Sequence, residues 1–530
     1  MLFFKEFNQT ILEILILIIL VFILSILKFY YDYFTRSTSY SGPLPVPILG
    51  NLHQYYYHRN DIQTWLQHLS LKYGDVFELY FGSCKYLMIS DSRVVERVMS
   101  PLKDNNYFVR VTTKEGLEDL QKGHNGILFN VDFNSWSNIK KIFIKAVAAP
   151  NSLRFGMKLI NNGFKDLEKF LDLLIEEREE KSIEVDFIPW TRRVFAEAIM
   201  LLLTNRHPDL LSTYYNRITN KNPDNIQKNL HEEFFDRLNI TSDCVQYYLM
   251  VPSLIRNLPF VNFYTSYLYN NMMWTRNYMY SLVKERIEEN ESIDYKEKLL
   301  SPDMLNLLLS ANISKDNDGN EKPMTIEEIG DNIAEILIEG VDSPSNTLSF
   351  FLYYVGNDPD IERRVLEEIG NTFNHRPKFN ITYEDLNKLE YIEAVIKEVL
   401  RIRPVTATIS RFTAHPDQIN EYKIPPSTQL SVNIMGLHMN PNYWEEPMKF
   451  NPSRFLGNNE KETYDKNAFV YFGGGIRMCP GRQFAMTQLK MMVVLLYSKY
   501  KFEVITKDPS SQYSVNTQCK ELKVRIKHKK

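Results

Sequence analysis

Cysteine is scarce. Four residues, Cys84, Cys244, Cys479 and Cys519, lie far apart with no C-x-x-C pair, which argues against a disulfide scaffold and a structural zinc site and points to a reducing compartment. Glycine and proline are also sparse, 20 and 24 in 530 residues, beside 44% hydrophobic and 24% charged residues. That balance excludes disordered and collagenous chains, and no repeat or low-complexity block interrupts it. No sign of charge dominates: 62 Lys and Arg against 65 Asp and Glu leave a net charge of −3, so nucleic acid is not expected as a partner. The composition is that of a large packed protein.

One long apolar run is present. From Ile11 to Leu27 only Glu13 and Ser25 are polar, and a helix over this stretch reaches ~26 Å, close to a bilayer's hydrocarbon core. Phe3, Phe4 and Phe7 precede it and Phe29, Tyr30, Tyr31 and Tyr33 follow, as interfacial aromatics do. A cleaved signal would carry a shorter apolar region and a small-residue cleavage site, whereas Lys28-Phe29-Tyr30-Tyr31 follows directly. The expectation is a single-pass transmembrane anchor over residues 8–28, a linker and proline-rich hinge over 29–47, and one domain over 48–530. Lys28 and Arg36 follow the run while only Lys5 precedes it, a bias that places the domain on the cytosolic side. The sequons at Asn239, Asn312 and Asn380 are then expected to stay unmodified.

The domain reads as mainly α with small β-sheets. Asp75 to Ser90 alternates around Gly82-Ser83 as a hairpin does. Thr325 with Glu328 forms a capping box ahead of an apolar face from Ile329 to Val341. A second helix carries Leu389 to Leu400 and stops near Arg403-Pro404, and a third runs from about Arg482 to Tyr497. The segment Asn222 to Asn239 gives no clear boundaries.

The stretch from Phe472 to Gly481 places Gly473, Gly474 and Gly475 ahead of a cysteine that opens a helix. A helix amino terminus and a nearby arginine both favour a thiolate, the metal-ligating form, and glycine lets backbone approach a flat cofactor. A phosphate loop would need Gly-Lys-Ser/Thr, which is lacking.

The spacing Phe472-x-x-Gly475-x-Arg477-x-Cys479-x-Gly481 resembles the haem-ligand loop of the cytochrome P-450 family of haem-thiolate monooxygenases. The resemblance implies a cytochrome P-450 fold behind the transmembrane helix, with Cys479 as axial ligand of the iron of haem b (iron protoporphyrin IX). A cysteine thiolate there favours O–O cleavage. It further implies that Arg477 meets a haem propionate and that Phe472 and Gly475 shape the loop. Glu398 and Arg401 match the family's Glu-x-x-Arg, with Arg454 completing a structural charge network, although Ser453 stands where relatives carry glutamate. Arg411 corresponds to another propionate-binding arginine. Trp136-x-x-x-Lys140 resembles Trp-x-x-x-Arg, with lysine in place of the two-pronged guanidinium. Glu339-Gly340-Val341-Asp342-Ser343-Pro344 resembles the oxygen-activation segment, so Asp342 and Ser343 are the expected catalytic pair, Ser343 replacing threonine and Glu339 replacing a small residue. Pro344 leaves the Gly340 carbonyl without its helical donor, so an opening is expected there.

The resemblance thus implies insertion of one oxygen atom from O2 into an apolar small molecule. No flavin-domain sequence accompanies the haem domain, so a separate NADPH-dependent reductase is the expected electron donor. The endoplasmic reticulum is the expected membrane. Lys140, Lys141, Lys145, Arg482 and Lys490 form a basic docking face or merely a solvated one. Val109 to Gly126, Glu335, Ile336 and Val405 to Ile409 are the expected substrate contacts. Two other readings stay open: a haem-thiolate isomerase, dehydratase or peroxygenase acting on peroxides, and a non-enzymatic membrane-bound haem sensor.

Overall fold

A computed structural model describes residues 2–36, 40–58, 61–82, 84–100, 106–110, 114–120, 126–220, 230–292, 303–318, 323–373, 381–419, 421–457, 464–509, 511–513 and 516–529. The elements that position the site are, in chain order, α1 (Leu2–Phe34), β1 (Val76–Phe81), β2 (Cys84–Ile89), α2 (Phe133–Val147), α3 (Pro150–Glu176), β3 (Ser182–Asp186), α4 (Ile188–Thr204), α5 (Leu230–Met250), α6 (Pro259–Ser292), α7 (Ile326–Gly356), α8 (Glu390–Ile402), β4 (Thr408–Phe412), β5 (Gln429–Asn433), α9 (Arg482–Lys499), β6 (Tyr500–Val504) and β7 (Lys523–His528). The fold is mainly helical with small sheets, as expected from the sequence.

Helix α7 is the central strut. Thr325 Oγ1 accepts from Glu328 N and Thr325 N donates to the Glu328 carboxylate, the expected capping box. From Ile329 onward the helix is buried on nearly all sides, against α4, α6, α8 and α9. Its apolar residues belong to one core that also takes in α3 and α9. Burial of this kind, not propensity, holds so long a helix in place.

The hairpin forms where alternation placed it, with Val76 opposite Ile89 and Phe81 opposite Cys84. Its second strand then runs parallel to β5, Tyr86 beside Gln429 and Ile89 beside Val432, and β4 closes the sheet antiparallel to β5. A second sheet has the order β3-β7-β6. The parallel pairing is not local and leaves no periodic trace in either segment.

Two details at the amino terminus go beyond the sequence reading. Helix α1 continues six residues beyond residue 28, to Phe34, because Tyr30 stacks on Phe34 one turn later, ring centroids 6.4 Å apart. The proline-rich segment is held against the body: Pro43 and Pro45 are buried, Asn51 Nδ2 donates to the Pro43 and Leu44 carbonyls, and Glu78 N donates to Ser41 O. Arg36 Nε meets the buried Glu78 carboxylate at 2.8 Å. The segment after the anchor is clamped to β1. None of residues Ile11–Phe34 is buried in the protein, and the span is long and apolar enough to cross a membrane.

The segment that gave no sequence boundaries resolves into α5 from Leu230; residues 221–229 lie outside the described set. Its Glu232 is wholly buried and ion-paired with Arg193 at 2.7 Å, and such buried charge blurs an apolar stripe.

Candidate functional site

The cysteine loop takes its shape from its glycines. Gly475 has φ +64, and a Cβ there would stand 2.6 Å from both the Met99 and Ser100 carbonyl oxygens, so no other residue fits. A single 3₁₀ turn over Gly475–Arg477 follows, and Cys479 N donates to Phe472 O at 3.0 Å, folding the loop back on itself. Cys479 then faces a largely apolar cavity of about 480 Å³. Opposite stand Ile336, Gly340, Ser343 and Thr347 of α7; Ile199 and Leu202 of α4 and Val405 also line it.

Four cations gather on one side of this cavity, Arg411 and Arg477 buried, Arg110 and Lys140 half-buried. Arg110, Lys140, Arg411 and Arg477 all line it, together with Trp136 and Phe472. Arg477 donates to the carbonyls of Phe108, Ile127 and Asn130 and lies 4.4 Å from the Trp136 ring centroid. Arg411 reaches Ser410 O and Met99 Sδ. Lys140 Nζ donates to Ile476 O and sits over Trp136. Arg110 donates to Arg477 O at 2.8 Å, and its Nε finds no partner among the described residues.

These cations repel one another in a dry setting. Burial, then Arg110 and Arg411, pulls Arg477 down to about 8; burial, then Arg110, pulls Arg411 down to about 9. Lys140 and Arg110 are also lowered, by burial first. Guanidiniums do not normally lose protons in proteins, so the cluster calls for anions. Its donor set fits a flat cofactor with two carboxylates.

The expected depression of the Cys479 thiol is corrected. Burial raises it above an ordinary thiol; the Gly481 amide, Arg110 and Lys140 pull the other way and are outweighed. A metal would have to draw off the proton.

Helix α7 brings Ser343 to the cavity and turns Asp342 away from it. Asp342 is buried and its Oδ1 accepts from Arg192 of α4, Nη2 at 2.8 Å and Nε at 3.1 Å; Arg192 also donates to Asn239. Ser343 Oγ donates to Glu339 O at 2.7 Å. Glu339 does face the cavity, and its carboxylate accepts from Asn516 Nδ2 at 3.2 Å. The helix continues unbroken through Pro344, and Gly340 is half-buried on the cavity wall, not sealed in the core.

A scaffold grips the loop from behind. Glu398 and Arg401 are fully buried and joined by two bonds of 2.8 Å, while Arg454 Nε reaches the same carboxylate at 3.2 Å. Arg401 O accepts from His438 Nδ1, whose Nε2 accepts from Val470 N just ahead of the loop. Ser453, at the position of the missing glutamate, accepts from Arg364. The proposed basic face loses two members: Lys490 is buried against Glu393 and Leu386 O, and Lys140 turns inward. Lys141, Lys145 and Arg482 are exposed.

Sequence reading missed Arg192 and Asn516, and took in Arg110 only within a longer segment. An arginine set among apolar neighbours, Phe108-Val109-Arg110-Val111, was the available signal. Of the expected substrate contacts, Val405, Thr406, Thr408, Ile409, Glu335 and Ile336 line the cavity, as do Leu249 and Met250, which were not foreseen. Residues 111–113 and 121–125 of the remaining segment lie outside the described set.

A cysteine at the floor of a largely apolar cavity, with four cations on one side of it, fits an anionic cofactor. The family model described as Cytochrome P450 matches residues 41–526. Cytochrome P450 3A56 and Cytochrome P450 3A30 of Fundulus heteroclitus are each 25% identical over 482 residues, covering 90% of this chain and 89% of theirs. Cytochrome P450 3A25 of Mus musculus is 24% identical over 456 residues, 86% of this chain and 83% of its own. In fold, the chain matches the crystal structure of cytochrome P450DA heme domain with a TM-score of 0.71 at 18% identity, covering 93% of this chain and 97% of that one. This chain belongs to the cytochrome P450 family. It is a haem- and O2-dependent monooxygenase.

Proposed function

We propose that the protein is a single-pass, membrane-anchored monooxygenase that oxidises an apolar small molecule with electrons from a separate NADPH-dependent reductase. The observation that carries this is the apolar cavity enclosed between Cys479 and α7. Cys479 would ligate the haem iron, Arg110, Lys140, Arg411 and Arg477 would hold the propionates, and Trp136, Phe472 and Gly475 would bound the ring. The bound haem supplies O2 reduction and oxygen transfer.

The chain's own residues exclude water and steer protons. Apolar side chains of α4, α5 and α7 keep the cavity dry around substrate. Asp342, outside the cavity, is held by Arg192 and would take up protons arriving past α4 and α5. Ser343 would pass them inward once its hydroxyl releases Glu339 O. Glu398, Arg401 and Arg454 would act only through the loop they hold.

The reduced, carbonmonoxy-treated full chain should show a red-shifted Soret band that Cys479→Ala abolishes; retention of that band in the mutant would sink the ligand assignment. Asp342→Asn should keep the band but lower turnover at least tenfold and enlarge the solvent isotope effect; unchanged turnover would remove Asp342 from proton delivery. Glu339 gives the peroxide-dependent reading its one specific support, a carboxylate on the cavity wall. Turnover with a hydroperoxide and none with reductase and NADPH would favour that reading.

We assign the anchor to the endoplasmic reticulum, domain toward the cytosol. The Asn239 side chain, engaged by Arg192, supports an unglycosylated site. Lys141, Lys145 and Arg482 are the remaining basic candidates for meeting an acidic reductase, and reduction rates should fall with rising salt if they do.

A further inference from the structure

Asp166 on α3, Glu197 on α4 and His207 after α4 form a cluster with no part in the cavity. One potential ligand atom from each lies within 4.8 Å of the others. Glu197 and the cavity-lining Ile199 are two positions apart on α4, so they point to roughly opposite sides of it. Glu197 is 2% exposed, with Oε1 accepting from Leu211 N at 2.8 Å and Oε2 finding no hydrogen bond among the described residues. The adjacent cation, Arg206, is turned instead to Glu285 and Glu289. A carboxylate oxygen this buried and unpartnered is costly unless something satisfies it.

His207 is oriented to help. Its Nδ1 lies 3.0 Å from Asp209 Oδ1, and its Nε2 is 3.9 Å from Asp166 Oδ2. Asp209 meets Nδ1 twice, its amide N donating at 3.3 Å and its Oδ1 lying at 3.0 Å; a cation at Nε2 would select the tautomer whose Nδ1 proton goes to that carboxylate. That carboxylate–histidine pairing fixes the tautomer of many metal-binding imidazoles. Ligand distances of about 2.0–2.2 Å require the donor atoms to come within about 3.5 Å of one another, a movement of the half-exposed Asp166 and His207 side chains.

We propose that Asp166, Glu197 and His207 bind a first-row divalent cation of the Zn²⁺ type, oriented by Asp209 and remote from the haem cavity. One nitrogen and two carboxylates suit zinc, whereas magnesium and calcium prefer more oxygen ligands and retained waters. Bound zinc would tie α3 to α4 and to the turn that follows.

The test uses the untagged, haem-loaded full chain in detergent, stripped with chelator and dialysed against micromolar Zn²⁺. The expected result is one zinc per chain by elemental analysis, with affinity at least tenfold weaker in His207→Ala and Glu197→Gln and about tenfold weaker in Asp209→Asn. An unchanged carbonmonoxy spectrum would show that each variant is folded, and Asp166→Asn, at a half-exposed site, provides a variant of low folding risk. Millimolar Mg²⁺ should not displace the zinc. Absence of zinc from the wild type, or equal zinc in all four variants, would overturn the site.

Discussion

Arg110 shows how a single residue escapes a sequence pattern and still governs a site. Its guanidinium lines the cavity beside Arg411, Arg477 and Lys140, its Nε buried without a partner among the described residues, and its apolar neighbours along the chain mark it without revealing those contacts. Arg110→Leu should release haem to a scavenger protein at least tenfold faster than wild type, and faster than Lys140→Met, because a guanidinium can form two bonds to one carboxylate. Equal loss rates would make Arg110 dispensable for haem retention. His438 offers a test by pH. Burial, then Arg401, holds its imidazole near 3, against about 6.5 in the unfolded chain. Between those values the unfolded chain binds the extra proton, so the neutral ring's stability is present above pH 6.5 and is lost as pH falls. From pH 6.5 to 5 the loss should be about 2 kcal/mol. His438→Gln should lose that much less, read as a smaller fall in urea midpoint. The residues of the cysteine loop and the Glu398–Arg401 pair were legible because spacing along one loop or helix face already fixes their relation. Arg192 and Asn516 were not, since each meets its partner on α7 from a distant part of the chain.

Among the elements, α7 and α8 could be read in advance, α1 runs past the apolar stretch the sequence marked, and α5 could not be bounded. Helix α7 announces itself by a capping box and an apolar face, α8 by its stripe and Pro404, whereas α5 opens among buried charge and α1 ends on aromatic stacking. Two changes probe the legible pair. Glu398→Gln removes the carboxylate shared by Arg401 and Arg454, leaving two buried cations uncompensated, and should cost about 3–5 kcal/mol; a denaturation midpoint within error of wild type would refute the scaffold reading. Pro344→Ala returns an amide to α7 facing the Gly340 carbonyl. It should raise the unfolding temperature, since an interior proline costs a helix about 3 kcal/mol, and should lower the fraction of NADPH oxidation that yields product. A lower unfolding temperature would mean that the proline ring's packing outweighs the missing bond.

For the whole molecule, the fold class and the chemistry were readable, and the attachment of anchor to body was not. The clamp of Arg36, Ser41 and Asn51 on β1 depends on a strand that follows tens of residues later. Deleting residues 1–34 should leave a domain that still gives the carbonmonoxy band but no longer pellets with membranes after alkaline carbonate washing; full retention in the pellet would show that the body alone suffices for attachment. The parallel contact of β2 with β5 bears on how the chain is made. Its partners lie roughly 340 residues apart, so at about 5–20 residues per second a ribosome takes some 20–70 s to supply the second strand after the first. Over that interval the nascent chain carries an unfinished sheet edge, and the cysteine loop proposed to receive haem is synthesised later still. Assembly must therefore close around the cofactor near the end of translation, and a shortage of haem at that moment should leave an open-edged chain for chaperones or proteases to collect.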